Sequence, residues 1–227
     1  MILGVHSLKN GPSTALPEPG AAEPRLSSTS AASTPSDGTT HSVSLPRASA
    51  LTTQRFTTRM PFVQTAGVSW ERVGNALHAF LAADYPELSA ARRAELGTRL
   101  LSGAGLSASF TAESLISASD ALRDFIASRW PNATWHREVP ISAVFDSAYG
   151  QRRIEGTIDL LLETPAGFVI VDHKSFPGKA LHWAEKALEY APQLLTYAAA
   201  IEMSGGAAIG RFVHFTVGGG IAEIGVT

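Results

Sequence analysis

The chain has 227 residues, no cysteine, a hydrophobic fraction of 44% and a formal net charge of −2. These values exclude disulfides, thiolate metal sites and an iron–sulfur cluster, and they leave no broad basic field to steer a nucleic acid, so that any such contact must be local. No apolar run approaches the roughly 18 residues of a membrane span, and Met1-Ile2-Leu3-Gly4-Val5 is too short for the apolar core of a signal peptide, which makes a soluble intracellular protein the expectation.

Residues 1–58 are dominated by Ser, Thr, Ala, Pro and Gly. Such a stretch buries too little apolar surface to offset the entropy of ordering it, so it reads as a disordered arm or tether, followed by a folded domain over residues 59–227. Ser69-Trp70-Glu71-Arg72 can cap and open a helix that runs through Val73, Leu77, Phe80 and Leu81 to Tyr85-Pro86. A second helix is expected from Ser89 to Leu101 and a third from about Thr111 to Trp130, ended by Pro131-Asn132. From Thr134 the apolar period changes to two. Trp135 to Phe145 reads as a strand, turned by Ser147 to Gly150 into the next strand, and three strands form a meander ending at Lys174. A helix from about Ala180 to Met203, broken near Pro192, then crosses to a core strand at Arg211 to Val217 and a possible edge strand at Ile221 to Val226. This order predicts an α/β fold on a mixed sheet.

The informative stretch is Gly156 to Lys174. Thr157 to Leu162 and Phe168 to Asp172 are buried-strand patterns joined by the turn Thr164-Pro165-Ala166-Gly167, with proline and glycine where a type I turn favours them. A hairpin symmetric about that turn sets Asp159 across from Asp172, with Cβ atoms about 5 Å apart. Lys174 shares the face of Asp172 because side chains alternate. Two like charges so placed repel. Paired carboxylates suit Mg²⁺ or Mn²⁺, which keeps several waters, and the carbonyl of His173 could supply one more oxygen. Lys174 could orient or deprotonate the attacking water, or balance charge on a phosphoryl oxygen.

Gln193 and Tyr197 lie four apart and share one helix face, where an amide and a phenol could hold a phosphate backbone. By spacing alone they read equally well as a polar helix surface. Glu138 alone reads as a surface acid and His78 as a packed histidine, although neutral imidazole can also serve as a metal ligand. His136, His173, His182 and His214 share no spacing and their side chains are assigned to structure, although His173 and His182 lie near the site.

The pattern Gly156-Thr157-Ile158-Asp159, then Asp172-His173-Lys174, then Gln193-Leu194-Leu195-Thr196-Tyr197 resembles the RecB-type nucleases of the PD-(D/E)XK superfamily. Gly74-Asn75-Ala76-Leu77-His78 is similar to the upstream histidine motif of that group, and Arg137-Glu138-Val139-Pro140 to its first-strand motif. The resemblance covers roughly residues 60–220. It implies a restriction-endonuclease-like mixed sheet flanked by helices and a Mg²⁺- or Mn²⁺-dependent deoxyribonuclease, in particular an exonuclease. It implies His78, Asp159 and Asp172 as metal ligands, Lys174 as the catalytic lysine, Gln193 and Tyr197 as the branch-specific motif, and Glu138 as a weaker match. Similar domains end the bacterial UvrD-like helicase–nucleases of the AddA and RecB kind, which act on double-strand breaks in the cytoplasm. Here Gly178-Lys179 lacks the remaining Walker A residues, so no helicase is expected in this sequence. The chain is then a fragment, or acts alone or with a separate helicase subunit. The alternative is a catalytically idle module that binds DNA or a partner protein. A serine hydrolase has no support, for want of a Gly-x-Ser-x-Gly elbow.

Overall fold

A computed structural model describes residues 47–56, 67–147 and 150–226. In chain order these form strand β1 (Ala48–Arg55), helices α1 (Trp70–Ala83), α2 (Ala90–Gly103) and α3 (Ala112–Arg129), and strands β2 (Thr134–Ser147), β3 (Gly150–Thr164) and β4 (Gly167–Lys174). A short 3-10 turn (Ala180–His182) then leads into α4 (Trp183–Met203), followed by β5 (Ala208–Phe215) and β6 (Gly220–Val226). The strands make one six-stranded sheet in the order β1-β6-β5-β4-β3-β2. Only β4 and β5 run parallel, joined through α4, so the sheet is mixed as expected. Among the described residues no helix is long and apolar enough to cross a membrane.

Both faces of the sheet are covered, which is why the central strands read as unbroken apolar runs. Leu162, Val169, Ile170 and Val171 are fully buried. On one face Leu160, Leu162, Val169 and Val171 pack with Leu122, Phe125 and Ile126 of α3, and on the other Ile158, Leu161 and Ile170 pack with Trp183, Leu194 and Ile201 of α4. The three N-terminal helices share a further core of Val73, Leu77, Phe80, Leu101 and Leu115.

Three expectations are corrected. The last part of the stretch read as a disordered arm, Ala48–Arg55, is strand β1, paired antiparallel with β6. Composition hid it because Thr52 to Arg55 are polar and exposed, with the buried Phe56 following them. The rest of that arm, residues 1–46, lies outside the described residues. Second, β6 is not an edge strand, since β1 covers it. Third, α4 continues through Pro192 without a break. Pro192 and Leu188, the residue whose carbonyl loses its donor, both lie on the solvent side, where the lost bond is inexpensive.

One buried acid holds the helical layer to the sheet. Asp84, at the C-terminus of α1, accepts from Arg93 Nε at 2.7 Å and Arg93 Nη2 at 2.8 Å on α2, and from Ser119 Oγ at 2.6 Å on α3. Its backbone carbonyl accepts from Arg137 Nη2 of β2 at 3.2 Å, while Arg137 Nε donates to the carbonyl of Leu81 at 3.1 Å. Burial pushes the Asp84 carboxyl up, but Arg93, Ser119 and Arg123 reverse this and hold it below its ordinary value. A carboxyl lowered in the fold contributes stability above its unfolded pKa and loses it as pH falls. Removing one member strands the others, so Asp84→Ala should lower stability by about 3–5 kcal/mol in urea unfolding at neutral pH. A loss under about 1 kcal/mol would show that the network holds nothing together.

Candidate active site

The β3–β4 hairpin has the expected register, from Thr164 opposite Gly167 to Leu160 opposite Val171. The next facing pair would be Asp159 and Asp172. There the regular ladder ends, and Asp159 Oδ2 instead accepts from the backbone N–H of His173 at 2.6 Å.

Asp159 leaves the sheet because two strands change face at one point. Along β2, Trp135 packs on the α3 side, whereas Val139, Ala143 and Phe145 pack on the α4 side. Along β3, Leu160 and Leu162 face α3, whereas Ile158 faces α4. Strict alternation would keep each set on one side. The β2–β3 register is nevertheless unbroken, with Arg137 opposite Leu160 and Val139 opposite Ile158. The change therefore falls on the facing residues Glu138 and Asp159. Glu138 carries it in its backbone: its φ is +50°, a left-handed value that costs a non-glycine residue about 1–2 kcal/mol.

Helix α1 brings a third group to this point. His78 Nε2 lies 3.1 Å from Asp159 Oδ1 and 3.8 Å from Glu138 Oε1. One ligand atom from each of the three residues falls within a 4.8 Å span. Glu138, read as a surface acid when taken alone, thus belongs to the cluster. The positive φ that delivers it leaves no trace in the apolar pattern, so only the first-strand motif could have found it.

Asp172 and Lys174 lie beside the cluster. Asp172 is almost wholly buried, with Oδ2 2.7 Å from Lys174 Nζ. Lys174 Nζ also donates to Gln193 Oε1 at 3.2 Å, and Gln193 Nε2 donates to the hydroxyl of Tyr197 at 3.0 Å. Gln193 and Tyr197 therefore do share a face of α4, but both ends of the amide are engaged and Tyr197 is buried. Their geometry positions Lys174. A Cβ on Gly156 would lie 2.6 Å from the Tyr197 hydroxyl, so the glycine of the Gly-x-x-Asp motif is what admits that ring.

The electrostatics fit a cation. Burial pushes the Asp172 carboxyl up to about 6, aided by the Asp159 charge and opposed by Lys174. Burial acts upward on Asp159 too, but His78 and the His173 N–H outweigh it and hold that carboxyl below its ordinary range. The Asp159 carboxylate in turn raises the His78 pKa against the effect of burial. Neither His78 Nε2 nor Asp172 Oδ2, both buried, has a well-aligned hydrogen bond. Oxygen donors with one imidazole are a set that Mg²⁺ or Mn²⁺ accepts. Behind them His173 Nδ1 is 3.1 Å from His214 Nδ1. Burial lowers the His173 pKa to about 4 and that of His214 as well, which favours two neutral rings that meet through one N–H···N hydrogen bond. His182 is exposed at the start of α4, and His136 pairs with Glu163 at 2.9 Å away from the cleft.

The groups open into a polar cleft of about 180 Å³ lined by Gly74, Asn75, His78, Asp159, His173, Lys174, Ser175 and Thr216. A family model, the PD-(D/E)XK nuclease superfamily, matches residues 52–219. The chain belongs to that superfamily, and with it comes the expectation of a metal-dependent nuclease. No curated protein matches it significantly.

Gly74, one turn before His78, lets α1 pack closely against Ser175, just past the end of β4. A Cβ there would lie 2.1 Å from Ser175 Cβ and 2.3 Å from Ser175 Oγ. Gly74→Ala should therefore force α1 outward, abolish most of the thermal stabilisation by Mn²⁺ and cost about 1–3 kcal/mol without metal. Ser175→Gly in the same chain should restore the Mn²⁺ response; a Gly74→Ala protein with an unchanged response refutes the spacing argument.

A raised carboxyl pKa has the opposite sign from Asp84: the folded state binds the proton more tightly, so stability is lost as pH rises through about 4 to 6. With chelator present, Asp172→Asn should be more stable than the parent by about 1–3 kcal/mol at pH 8, and the gap should shrink as pH falls toward 4. Urea midpoints at both pH values test this, and a variant less stable at pH 8 contradicts it.

Proposed function

We propose that this chain is a Mg²⁺- or Mn²⁺-dependent deoxyribonuclease of the RecB type, an exonuclease that hydrolyses phosphodiester bonds at DNA ends or in single strands during double-strand break repair. In this reading it is the nuclease part of a bacterial, cytoplasmic helicase–nuclease, with the motor elsewhere in the polypeptide or on a separate subunit. The observation that supports it best is the convergence of His78 Nε2, Glu138 Oε1 and Asp159 Oδ1 beside the Asp172–Lys174 pair.

His78, Glu138 and Asp159 would hold the cation, with Asp172 and the backbone of His173 as further oxygen donors. When bound, the cation supplies Lewis acidity at the scissile phosphate. The protein groups do the rest. Asp172 and Gln193 fix the Lys174 ammonium at the cleft, where it offsets charge developing on a phosphoryl oxygen or orients the attacking water. Tyr197 holds Gln193 in its rotamer. Asn75 and Thr216, which line the same cleft, offer polar groups to the sugar-phosphate chain.

The test is incubation of the full chain with end-labelled linear DNA, single-stranded and duplex, in Mg²⁺, Mn²⁺ or chelator. Cleavage should require the cation, and Lys174→Ala should slow it about 10²- to 10³-fold with the fold intact. Asp172→Ala should abolish it. Cleavage that persists in chelator, or in Asp172→Ala, would rule out this mechanism.

A further inference from the structure

Three of the chain's four lysines, Lys174, Lys179 and Lys186, fall within thirteen residues, from the end of β4 to the first turns of α4. The arginines are used differently. Arg92, Arg93, Arg123, Arg129, Arg153 and Arg211 each pair with an acid of the same fold.

The lysines alternate with aromatic rings on one strip that starts at the catalytic lysine. Lys174 Nζ lies 5.0 Å from the centre of the Tyr190 ring. Lys186 Nζ lies 5.5 Å from the same ring and 5.7 Å from that of Phe176. Lys179 is exposed and makes no ion pair among the described residues. Among the described residues Glu189, one turn on along α4, is the acid that pairs with Lys186, a contact of little worth that a phosphate can replace, and the Tyr190 hydroxyl is a further partner. Beside them Leu181 is 73% exposed, which no packing requirement explains.

We infer that residues 174–190 form a track for a single nucleic-acid strand, in which Lys179 and Lys186 hold successive phosphates and the rings of Phe176 and Tyr190 stack against unpaired bases next to the cleft. The inference rests on the nuclease reading and narrows its substrate to a single strand, with the residues that hold it. Backbone cations with interleaved aromatic faces are how strands are bound without sequence preference, because every unpaired base has a free π-face and a paired one does not. When a phosphate draws the Lys186 ammonium off the two rings, it uncovers the faces that the bases need.

The experiment is fluorescence anisotropy of a short labelled DNA strand, alone and in duplex, with the full chain in chelator over a range of salt. The single strand should bind more tightly than the duplex. Lys179→Ala with Lys186→Ala should weaken it about ten-fold and reduce the log–log salt slope by about 1.4, at roughly 0.7 per lost phosphate contact. Tyr190→Ala should weaken single-strand binding about ten-fold without changing the slope, and Tyr190→Phe should restore it. Thermal stabilisation by Mn²⁺ should be unchanged in the double lysine variant, which shows that its fold and cation site are intact. If that variant binds as the parent does while the parent still cleaves DNA, the track is refuted and the nuclease reading stands. If the parent neither binds nor cleaves either form, both fall. Equal affinity for strand and duplex, with no effect of Tyr190→Ala, refutes the single-strand assignment.

Discussion

The site depends on a change of face that β2 and β3 make together at Glu138 and Asp159. Without it, alternation would send Asp159 into one of the two apolar layers, where an unpaired carboxylate costs several kcal/mol. With it, both carboxylates leave the sheet sideways, toward His78 on α1. The left-handed backbone at Glu138 is intrinsically unfavourable. It persists because the ladder on either side of it, from Thr134 opposite Glu163 to Val139 opposite Ile158 and onward, over-determines the register.

Around that point, charge is distributed by packing. Asp84 and Asp172 are both buried acids, yet their environments push them in opposite directions. The Asp84 carboxylate is surrounded by three donors from two helices and stays ionised, as a structural clamp should. Asp172 has one cation, Lys174, and a like-charged neighbour, and its charge is disfavoured. The first arrangement is complete. The second has capacity left over, which is what distinguishes a binding site from a structural ion pair.

Much of this was legible in the sequence, for reasons that can be named. The hairpin register followed from Thr164-Pro165-Ala166-Gly167, because a short turn fixes which residues face each other. The first helix followed from its cap, Ser69, and all of them from apolar spacing and their breakers. What escaped was set by tertiary contact. Strand β1 escaped because its pairing with β6, a backbone contact, leaves no mark in the composition of the stretch. Glu138 looked like a surface acid because one backbone dihedral redirects it. Gln193 and Tyr197 looked free to meet a phosphate because spacing gives a shared face but not the Lys174 contact that engages it. Pro192 looked like a helix break because sequence does not say which way a turn faces.

The ligand atoms of the cluster come from two layers: Glu138 and Asp159 belong to the sheet, His78 to the helical layer docked on it. Neither layer holds a complete set, so the cation would bind across their boundary and act as a cross-link between them. Cation binding and helix docking are then one linked equilibrium. The same linkage would run in reverse: whatever loosens α1, even far from the cleft at Asp84, would lower the apparent affinity for a cation held there.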